Sequence, residues 1–344
     1  MESTRILVTG ANGFVGRHLV DRLYNSLESA VPVRIFAAVR PEELPSVNVD
    51  ARLRFDSVGW AQGQDPGLLD VVPFDICDAS QVRSVVEEIR PERVFHLAAR
   101  ASGADADRDA VFAVNVEGTR SLLEACSKID PFPRAVVAST GYVYGNTEQG
   151  RPAQETDPVG PLWKFGAYTD SKIEVETVAR AYRAFAIITR AFSHTGPGQL
   201  PEFALPAFAM QIARMERRLD PPILRVGNLD PLRDMLDVRD VVWAYQLIGE
   251  RGSPGEAYNV ASGRAYTMRF LLDKLRAICA VPTQVTVDQN RVRAADILCS
   301  VGDSSKLTSL TGWQPTYALD QTLLALLSYW RKEIRRTPAE RKPE

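Results

Sequence analysis

The stretch Val8-Thr9-Gly10-Ala11-Asn12-Gly13-Phe14-Val15-Gly16 decides how this chain is predicted to fold. It continues an apolar run that predicts a β-strand, and it leads into apolar residues at helical spacing. Gly10, Gly13 and Gly16 therefore lie on a strand-to-helix turn, where a helix N-terminus can hold the pyrophosphate of a dinucleotide. Gly10 permits the tight turn, Gly13 lets the backbone approach the phosphates, and Gly16 lets the helix pack close to the strand. Glycines also end strands for purely structural reasons, but this context favours a cofactor site.

The bulk composition is that of an ordinary globular protein, with 344 residues, 45% of them hydrophobic and 24% charged. A net charge of -2 gives no reason to expect a nucleic-acid or membrane-surface partner. The 4 cysteines and 3 histidines are dispersed. We therefore expect reduced, buried thiols in a cytoplasmic protein and no metal site. The N-terminus does not resemble a signal peptide, and no stretch approaches the roughly 18 apolar residues of a membrane span.

Predicted strands and helices alternate through the N-terminal half of the chain. This pattern indicates an α/β fold with a doubly wound parallel (Rossmann-like) sheet, which binds ligands at the carboxyl ends of its strands. Beyond Arg190 the chain is richer in loops and arginines, so we expect a smaller C-terminal α/β substrate-binding domain. The predicted dinucleotide-binding domain comprises 1–190 with 228–258, the substrate domain 191–227 with 259–334, and a charged tail 335–344. The segment Glu42–Asp70 has little periodicity and is interpreted as an irregular surface insertion.

Tyr168 and Lys172 are four residues apart on a predicted helix, so their side chains face the same way. A phenol has a reference pKa of about 10 and exchanges protons poorly at neutral pH. An adjacent ammonium group favours the phenolate, so we expect Lys172 to lower the pKa of Tyr168. Tyr168 could then exchange a proton with a carbonyl or alcohol oxygen while hydride moves at the carbon. The spacing alone is common, and it gains weight from the glycine-rich turn.

A hydroxyl at the end of the fifth predicted strand would complete this catalytic group. The strand ends in Ser139-Thr140, and Thr140 is the first choice for hydrogen bonding the substrate oxygen, with Ser139 second. The structural alternative is that both hydroxyls satisfy the backbone of the turn.

Four motifs in this order resemble the extended short-chain dehydrogenase/reductase superfamily. They are Thr9–Gly16, Phe95–Ala99, Asn115–Thr119 and the pair Tyr168 and Lys172. The C-terminal half is similar to the branch of this superfamily that contains GDP-mannose 4,6-dehydratase and GDP-4-keto-6-deoxy-mannose reductase. The stretches that carry this second resemblance are Gly227–Asp234, Asp237–Asp240, His194–Gln199 and Gly302–Lys306. Together the resemblances cover the chain from about Arg5 to Trp330.

One position bears on the choice between dehydratase and reductase within this branch. The resemblance implies that a dehydratase has Thr-x-Glu at the fifth-strand turn, with the Glu removing a proton from C5 of the sugar. This chain has Thr140-Gly141-Tyr142 there, and a tyrosine does not readily replace a carboxylate base. We therefore expect NADP-dependent reduction of the C4 keto group of a GDP-4-keto-6-deoxy-hexose to a GDP-6-deoxyhexose such as GDP-D-rhamnose. A dehydratase or another nucleotide-sugar epimerase is the alternative, and a non-catalytic dinucleotide sensor is the alternative of another class.

Arg40 directly follows the second predicted strand and bears on the choice of cofactor. An acidic residue at this point suits the ribose hydroxyl of NAD, whereas a guanidinium suits the 2′-phosphate of NADP. We therefore predict NADP, with NAD possible. The resemblance implies that Asp75 and Ile76 flank the adenine and that Leu97–Ala99 line the path to the nicotinamide. The predicted cofactor-binding residues are Gly10, Asn12, Gly13, Phe14, Val15, Gly16, Arg40, Asp75, Ile76, Leu97, Ala98, Ala99, Tyr168 and Lys172.

A nucleotide sugar carries a second pyrophosphate, so cations are expected in the substrate domain. The resemblance assigns Arg233 and Arg293 to that diphosphate and Asp296 to the guanosine ribose, although any single arginine is more often a solvated surface residue. Arg239 is instead expected to pair with Asp237 or Asp240. The predicted substrate-binding residues are Thr140, Ser193, Arg225, Asn228, Arg233, Arg293 and Asp296.

Two departures from the branch lie where the sugar would bind. Ser193 stands where an Asn is usual, and Trp163 and Phe165 bring bulk in front of Tyr168. The substrate could therefore differ from the standard 4-keto-6-deoxy-mannose. The superfamily also implies a homodimer formed by the helices predicted over Val111–Lys128 and Tyr168–Phe185.

Overall fold

The computed structural model describes residues 3–25, 33–42, 68–101, 107–148, 150–160, 166–292 and 297–336, and elements are numbered in chain order. Seven strands form one parallel sheet in the order β3-β2-β1-β4-β5-β6-β11. Their bounds are β1 Thr4–Thr9, β2 Val33–Val39, β3 Leu69–Pro73, β4 Arg93–His96, β5 Arg134–Thr140, β6 Ala186–Ala191 and β11 Ala257–Val260. Because β1 and β4 are neighbours while the chain winds outward on both sides, the ends of these two strands mark the ligand-binding crevice of a doubly wound sheet.

Helices cover both faces of this sheet. The helices are α1 Phe14–Asn25, α2 Ala79–Ile89, α3 Arg108–Phe112, α4 Gly118–Cys126, α5 Ala167–Ala181, α6 Ala204–Glu216, α7 Val238–Arg251, α8 Met268–Ala277, α9 Ser305–Thr311 and α10 Leu319–Arg336. In β1, Ile6 and Val8 pack on the face covered by α1 and α7, whereas Leu7 packs on the face covered by α2, α4 and α5. This alternation follows from the two-residue period of a strand, and it confirms the predicted α/β fold class.

The C-terminal part of the chain adds small sheets and a third hydrophobic cluster, built mainly from α6, α8 and α10. The small sheets contain β7 His194–Thr195 with β10 Leu236–Asp237, β8 Ile223–Val226 with β13 Gln284–Val287, and β9 Leu232–Asp234 between β12 Ala265–Thr267 and β14 Cys299–Ser300. α7 and β11 pack with the large sheet, whereas β9 belongs to a small one. The domain boundaries given above remain a proposal.

The helix predicted over Val111–Lys128 is not continuous. A π-helical turn, Ala113–Glu117, lies between α3 and α4. Buried Asn115 within it accepts a hydrogen bond from the backbone N–H of Arg100 at 2.8 Å and donates to the Ser171 hydroxyl at 2.9 Å. These tertiary bonds stabilise a helical bulge of the kind often found at functional sites.

Other expectations concern the thiols, the C-terminal tail and the membrane. All four cysteines are free thiols, as predicted, but the predicted burial is wrong for two of them, because Cys77 is exposed and Cys279 is only partly buried. α10 extends to Arg336, two residues into the predicted tail, while 337–344 and most of the predicted insertion (43–67) lie outside the described residues. Across the ranges given above, the structure has no helix both long and apolar enough to cross a membrane.

Candidate active site

The glycine-rich turn closes against the end of β4. Gly10 has a φ of +68°, and a Cβ there would lie 2.8 Å from the backbone nitrogen of Ala98. A Cβ at buried Gly16 would overlap the carbonyl oxygen of Gly10. Both positions therefore exclude any side chain, because the atoms they would meet belong to the backbone.

Gly13 differs from Gly10 and Gly16 because it is exposed. A Cβ at Gly13 would meet only the Gly10 carbonyl oxygen, at 3.1 Å, so the space beside the N-terminus of α1 is open. Backbone amide groups and the helix dipole favour an anion there. This cradle fits the pyrophosphate of a dinucleotide.

Substitutions at these glycines should separate folding from cofactor binding. Gly13→Ala is expected to fold and to weaken NADPH binding at least about tenfold, because its methyl group enters the space left for phosphate. Gly16→Ala is expected to lower stability by more than about 2 kcal/mol, because neither backbone segment can yield. Fluorescence titration with NADPH and urea denaturation measure the two effects. Equal cofactor affinity in the Gly13 variant and the unsubstituted protein would contradict the cradle.

The other residues predicted to contact the cofactor lie along the same carboxyl edge of the sheet. Arg40 follows β2, is exposed, and places Nη1 3.2 Å from Oε1 of Glu42. Asp75 follows β3, and its carboxylate accepts the backbone N–H of Cys77 at 2.9 Å. The side chains of this edge are Asn12, Phe14, Val15, Arg40, Asp75, Ile76, Leu97, Ala98 and Ala99. Their contacts with a cofactor remain predictions.

A neutral histidine lies beneath this edge. The Thr119 hydroxyl donates to the Asn115 carbonyl oxygen at 2.5 Å, so it accepts from Nε2 of His96 at 2.9 Å. Nδ1 of His96 therefore accepts from the Thr9 hydroxyl at 2.8 Å. Burial lowers the pKa of His96 to about 3, and the Lys172 charge acts in the same direction. His96 is thus a fixed link between β1, β4 and α4.

The predicted catalytic group comes together at the end of β5. The hydroxyl groups of Thr140 and Tyr168 are hydrogen-bonded to each other. Buried Lys172 donates from Nζ to the Ala138 carbonyl oxygen at 2.7 Å, and its Nζ is 6.0 Å from the centroid of the Tyr168 ring. The two hydroxyls and the ammonium therefore face one space, the arrangement expected for proton transfer to a carbonyl oxygen.

The pKa of Tyr168 is raised in this structure, opposite to the lowering that was expected from Lys172. Desolvation raises the pKa of Tyr168 above its usual value, the phenols of Tyr245 and Tyr142 raise it further, and only the Thr140 hydrogen bond opposes them. Burial dominates because it disfavours the charged phenolate. Tyr168 is therefore a protonated phenol at neutral pH, the form that can donate a proton.

Ser139, the second choice for the oxygen-binding hydroxyl, forms its hydrogen bond with a different group. It donates at 2.8 Å to the carboxylate of Glu176, which is also held by both Nε and Nη2 of Arg190 at 2.8 and 2.7 Å. Arg190 is 1% exposed and also donates to the Tyr144 hydroxyl at 2.7 Å. The buried ion pair of Glu176 and Arg190 therefore fixes the Ser139 hydroxyl next to the site, and sequence reasoning missed it.

The charge of Lys172 should give cofactor binding a pH dependence. Burial lowers the pKa of Lys172 to about 8, partly offset by the carboxylate of Glu176. Affinity for NADPH should therefore be constant between about pH 7 and 8, above the second ionisation of the 2′-phosphate at about pH 6, and fall above pH 8 as the ammonium loses its proton. Folding stability should change with pH in the opposite direction. The unfolded chain holds the Lys172 proton up to a pH of about 10.5, whereas the folded protein loses it near pH 8, so the stability rises with pH between about 8 and 10.5. Both trends, measured by titration and urea denaturation, should be absent in Lys172→Met. A pH-independent affinity in the unsubstituted protein would contradict this role of Lys172.

The predicted substrate residues fall into two groups. Ser193 and Arg233 approach the reaction centre, because the Ser193 hydroxyl is 3.2 Å from that of Tyr142 and Cζ of Arg233 is 5.7 Å from the centroid of the Tyr142 ring. Arg225 and Asn228 are exposed, and the described contacts do not join them to Tyr168.

Of the remaining predictions about the substrate domain, one is confirmed and the others concern residues that the structure does not describe. Arg239 pairs with Asp237 at 2.7 Å, as predicted. Arg293 and Asp296 lie outside the described residues, as do the bulky residues of 161–165.

Comparison with known proteins places this chain in a family. The family model for GDP-mannose 4,6 dehydratase matches residues 7–325. The chain belongs to the GDP-mannose 4,6 dehydratase family. It is therefore an enzyme of the extended short-chain dehydrogenase/reductase type, whose members act as nucleotide-sugar oxidoreductases, dehydratases and epimerases.

Three relatives of this family member show the range of its neighbours. GDP-6-deoxy-D-mannose reductase of Pseudomonas aeruginosa is 30% identical over 96% of this chain and 98% of its own length. The structure of RMD from Pseudomonas aeruginosa complexed with NADPH is 28% identical, with a TM-score of 0.76 over 96% of this chain and 100% of that one. UDP-glucose 4-epimerase of Thermus thermophilus in complex with NAD is 26% identical, with a TM-score of 0.75 over 95% of this chain and 99% of that one.

Proposed function

We propose that this family member reduces the C4 keto group of a GDP-4-keto-6-deoxy-hexose with NADPH, giving a GDP-6-deoxyhexose such as GDP-D-rhamnose. The observation that carries the proposal is the hydrogen-bonded pair of Thr140 and protonated Tyr168, with a phenol at position 142. A reduction requires an oxygen-binding hydroxyl and a proton donor. A dehydration also requires a base beside the neighbouring carbon, and the Tyr142 phenol is a poor one. The reductase activity of the Pseudomonas aeruginosa relative supports the same choice.

Each residue of the site has one task in this reaction. Thr140 and Tyr168 donate hydrogen bonds to the carbonyl oxygen, which polarises the carbonyl group. A reduced nicotinamide held by the glycine-rich turn would supply the hydride. Tyr168 gives its proton to the same oxygen, and the resulting phenolate is stabilised by the ammonium group of Lys172. Arg233 would hold the diphosphate of the substrate.

NADP is the proposed cofactor because of Arg40. The RMD structure contains NADPH, while the Thermus thermophilus epimerase contains NAD. If Arg40 binds the 2′-phosphate, Arg40→Ala should weaken NADPH binding by about 10- to 100-fold and change NADH binding less than twofold, because an ion pair with phosphate is lost. Arg34→Ala, which removes an exposed pair with Asp70 at 2.7 Å, is the matched control. Equal losses for both cofactors would overturn the assignment.

The activity is tested by supplying GDP-4-keto-6-deoxy-mannose with NADPH and following the absorbance of the reduced cofactor. The proposal expects a stoichiometric loss of absorbance, and no loss would sink it. GDP-mannose supplied alone tests the dehydratase alternative, because dehydration regenerates the cofactor and yields a keto sugar. The configuration of the product at C4 separates rhamnose-type from talose-type reduction.

The nucleotide is tested independently with a thermal-shift panel of GDP, UDP, CDP and dTDP, each with NADPH or NADH. We expect the largest stabilisation with GDP and NADPH, since a ligand that binds the native state raises its apparent stability. A larger shift with another nucleotide would replace GDP in the proposal. A non-catalytic sensor would bind the dinucleotide and show neither activity.

We also propose a cytoplasmic homodimer, formed through the helical segments Val111–Lys128 and Tyr168–Phe185, which contain α4 and most of α5. This assignment comes from the superfamily resemblance. Sedimentation that detects only monomer at micromolar concentration would reject it.

A further inference from the structure

Tyr142 joins two parts of the site that come from different regions of the chain. It lies in a 3₁₀ turn, Gly141–Tyr144, immediately after β5. Its backbone N–H donates to the Thr140 hydroxyl at 3.3 Å, which places it beside the oxygen-binding group. Its own hydroxyl lies 3.2 Å from that of Ser193, and the guanidinium of Arg233 lies over its ring.

Arg233 is an unusual cation because it is only 8% exposed. It lies on β9, the central strand of the three-stranded sheet, and Nη1 donates to the Leu232 carbonyl oxygen at 3.0 Å. A buried guanidinium is stabilised by an aromatic face, and the contact strengthens as water is excluded. The Tyr142 ring supplies such a face, with 5.7 Å between its centroid and Cζ of Arg233.

We propose that Tyr142 is a positioning residue that sets the spacing between the anion-binding Arg233 and the carbonyl-binding Thr140. This inference rests on the proposed function, in which Arg233 holds the substrate diphosphate. Tyr142 contacts both elements, Thr140 through its backbone N–H and Arg233 through its ring, and the Ser193 hydroxyl restrains the far end of the ring. A site preorganised in this way favours a substrate whose carbonyl and diphosphate are separated by one sugar ring.

A double-mutant cycle on ligand binding tests the coupling. The probe is GDP, titrated calorimetrically into the NADPH-loaded protein and its Tyr142→Leu, Arg233→Leu and doubly substituted variants. Tyr142→Leu should weaken GDP binding about 3- to 10-fold, because the Arg233 guanidinium then has to be ordered when GDP binds. Arg233→Leu should weaken it at least as much, and the double variant should be within about twofold of Arg233→Leu. Losses that multiply in the double variant, or no binding of GDP to the unsubstituted protein, would overturn the proposal.

Steady-state kinetics separates positioning from general damage to the site. Tyr142→Leu should raise KM for the nucleotide sugar about tenfold and lower kcat less than threefold, because the proton donor and oxygen-binding hydroxyl remain. Tyr142→Phe retains the ring under Arg233 and should raise KM less than threefold. Tyr317→Leu is the matched control, because Arg239 lies over that ring at 3.7 Å outside the assigned site. Equal falls in kcat for Tyr142→Leu and Tyr142→Phe would contradict positioning by the ring.

The two experiments fail in different ways. Coupled GDP binding without any turnover would reject the reductase and leave the role of Tyr142 intact. Turnover accompanied by independent effects of Tyr142 and Arg233 would do the reverse.

Discussion

Tyr168→Phe is expected to lower kcat about 10³-fold, because it removes the proton donor from a reaction that must protonate an oxygen. The ring remains, so the substituted side chain fills the same volume. Affinity for NADPH should change less than about threefold, since Lys172 and the glycine-rich turn are untouched. Stopped-flow measurement of NADPH oxidation with GDP-4-keto-6-deoxy-mannose gives the chemical step directly.

Tyr182→Phe is the matched control for this experiment. Tyr182 caps the end of the same helix, α5, far along it from the reacting phenol. Loss of the Tyr182 hydroxyl should leave kcat within about twofold of the unsubstituted enzyme, because no proton is transferred through that group. A Tyr168 variant that retained more than about a tenth of the activity would remove Tyr168 from the role of acid.

Glu176→Gln is expected to destabilise the protein by about 3–5 kcal/mol. The substitution leaves the guanidinium of Arg190, itself 1% exposed, without its paired carboxylate. A buried charge deprived of its partner costs much more than the pair contributes. Urea denaturation should show a lower midpoint with an unchanged slope, because the surface exposed on unfolding is the same.

Two further variants distinguish a buried charge from general disruption. Glu176→Gln combined with Arg190→Met should recover much of the stability, since no unpaired charge remains. Arg180→Ala removes the exposed partner of the same carboxylate, at 3.3 Å, and should cost less than about 1 kcal/mol. Similar losses from Arg180→Ala and Glu176→Gln would show that burial of the Arg190 pair is not decisive.

The sequence predicted the parts of the site that depend on local spacing. The glycine-rich turn required only a strand, three glycines and a helix within a few residues. Tyr168 and Lys172 required only the helical period, and Thr140 required the end of one strand. Each of these features depends on residues that are close together in the sequence, so a short sequence pattern can predict it.

Features that depend on distant contacts were not predictable in this way. The π-helical turn is stabilised by a bond between Asn115 and Ser171, which are 56 residues apart in the chain. The sign of the pKa shift at Tyr168 depends on burial, which no spacing reveals. The contact between Tyr142 and Arg233 joins a turn of the large sheet to a strand of a small one.

The histidine beneath the crevice has a consequence for how the enzyme responds to its surroundings. His96 does not gain a charge until the pH approaches about 3, so the joint between β1 and β4 keeps one set of hydrogen bonds through every physiological acidity. The charge state of His96, and with it the link between β1, β4 and α4, is therefore constant over this range. We therefore expect the pH dependence of the site to come from Lys172, while pH changes within the cellular range leave the hydrogen bonds of His96 unchanged.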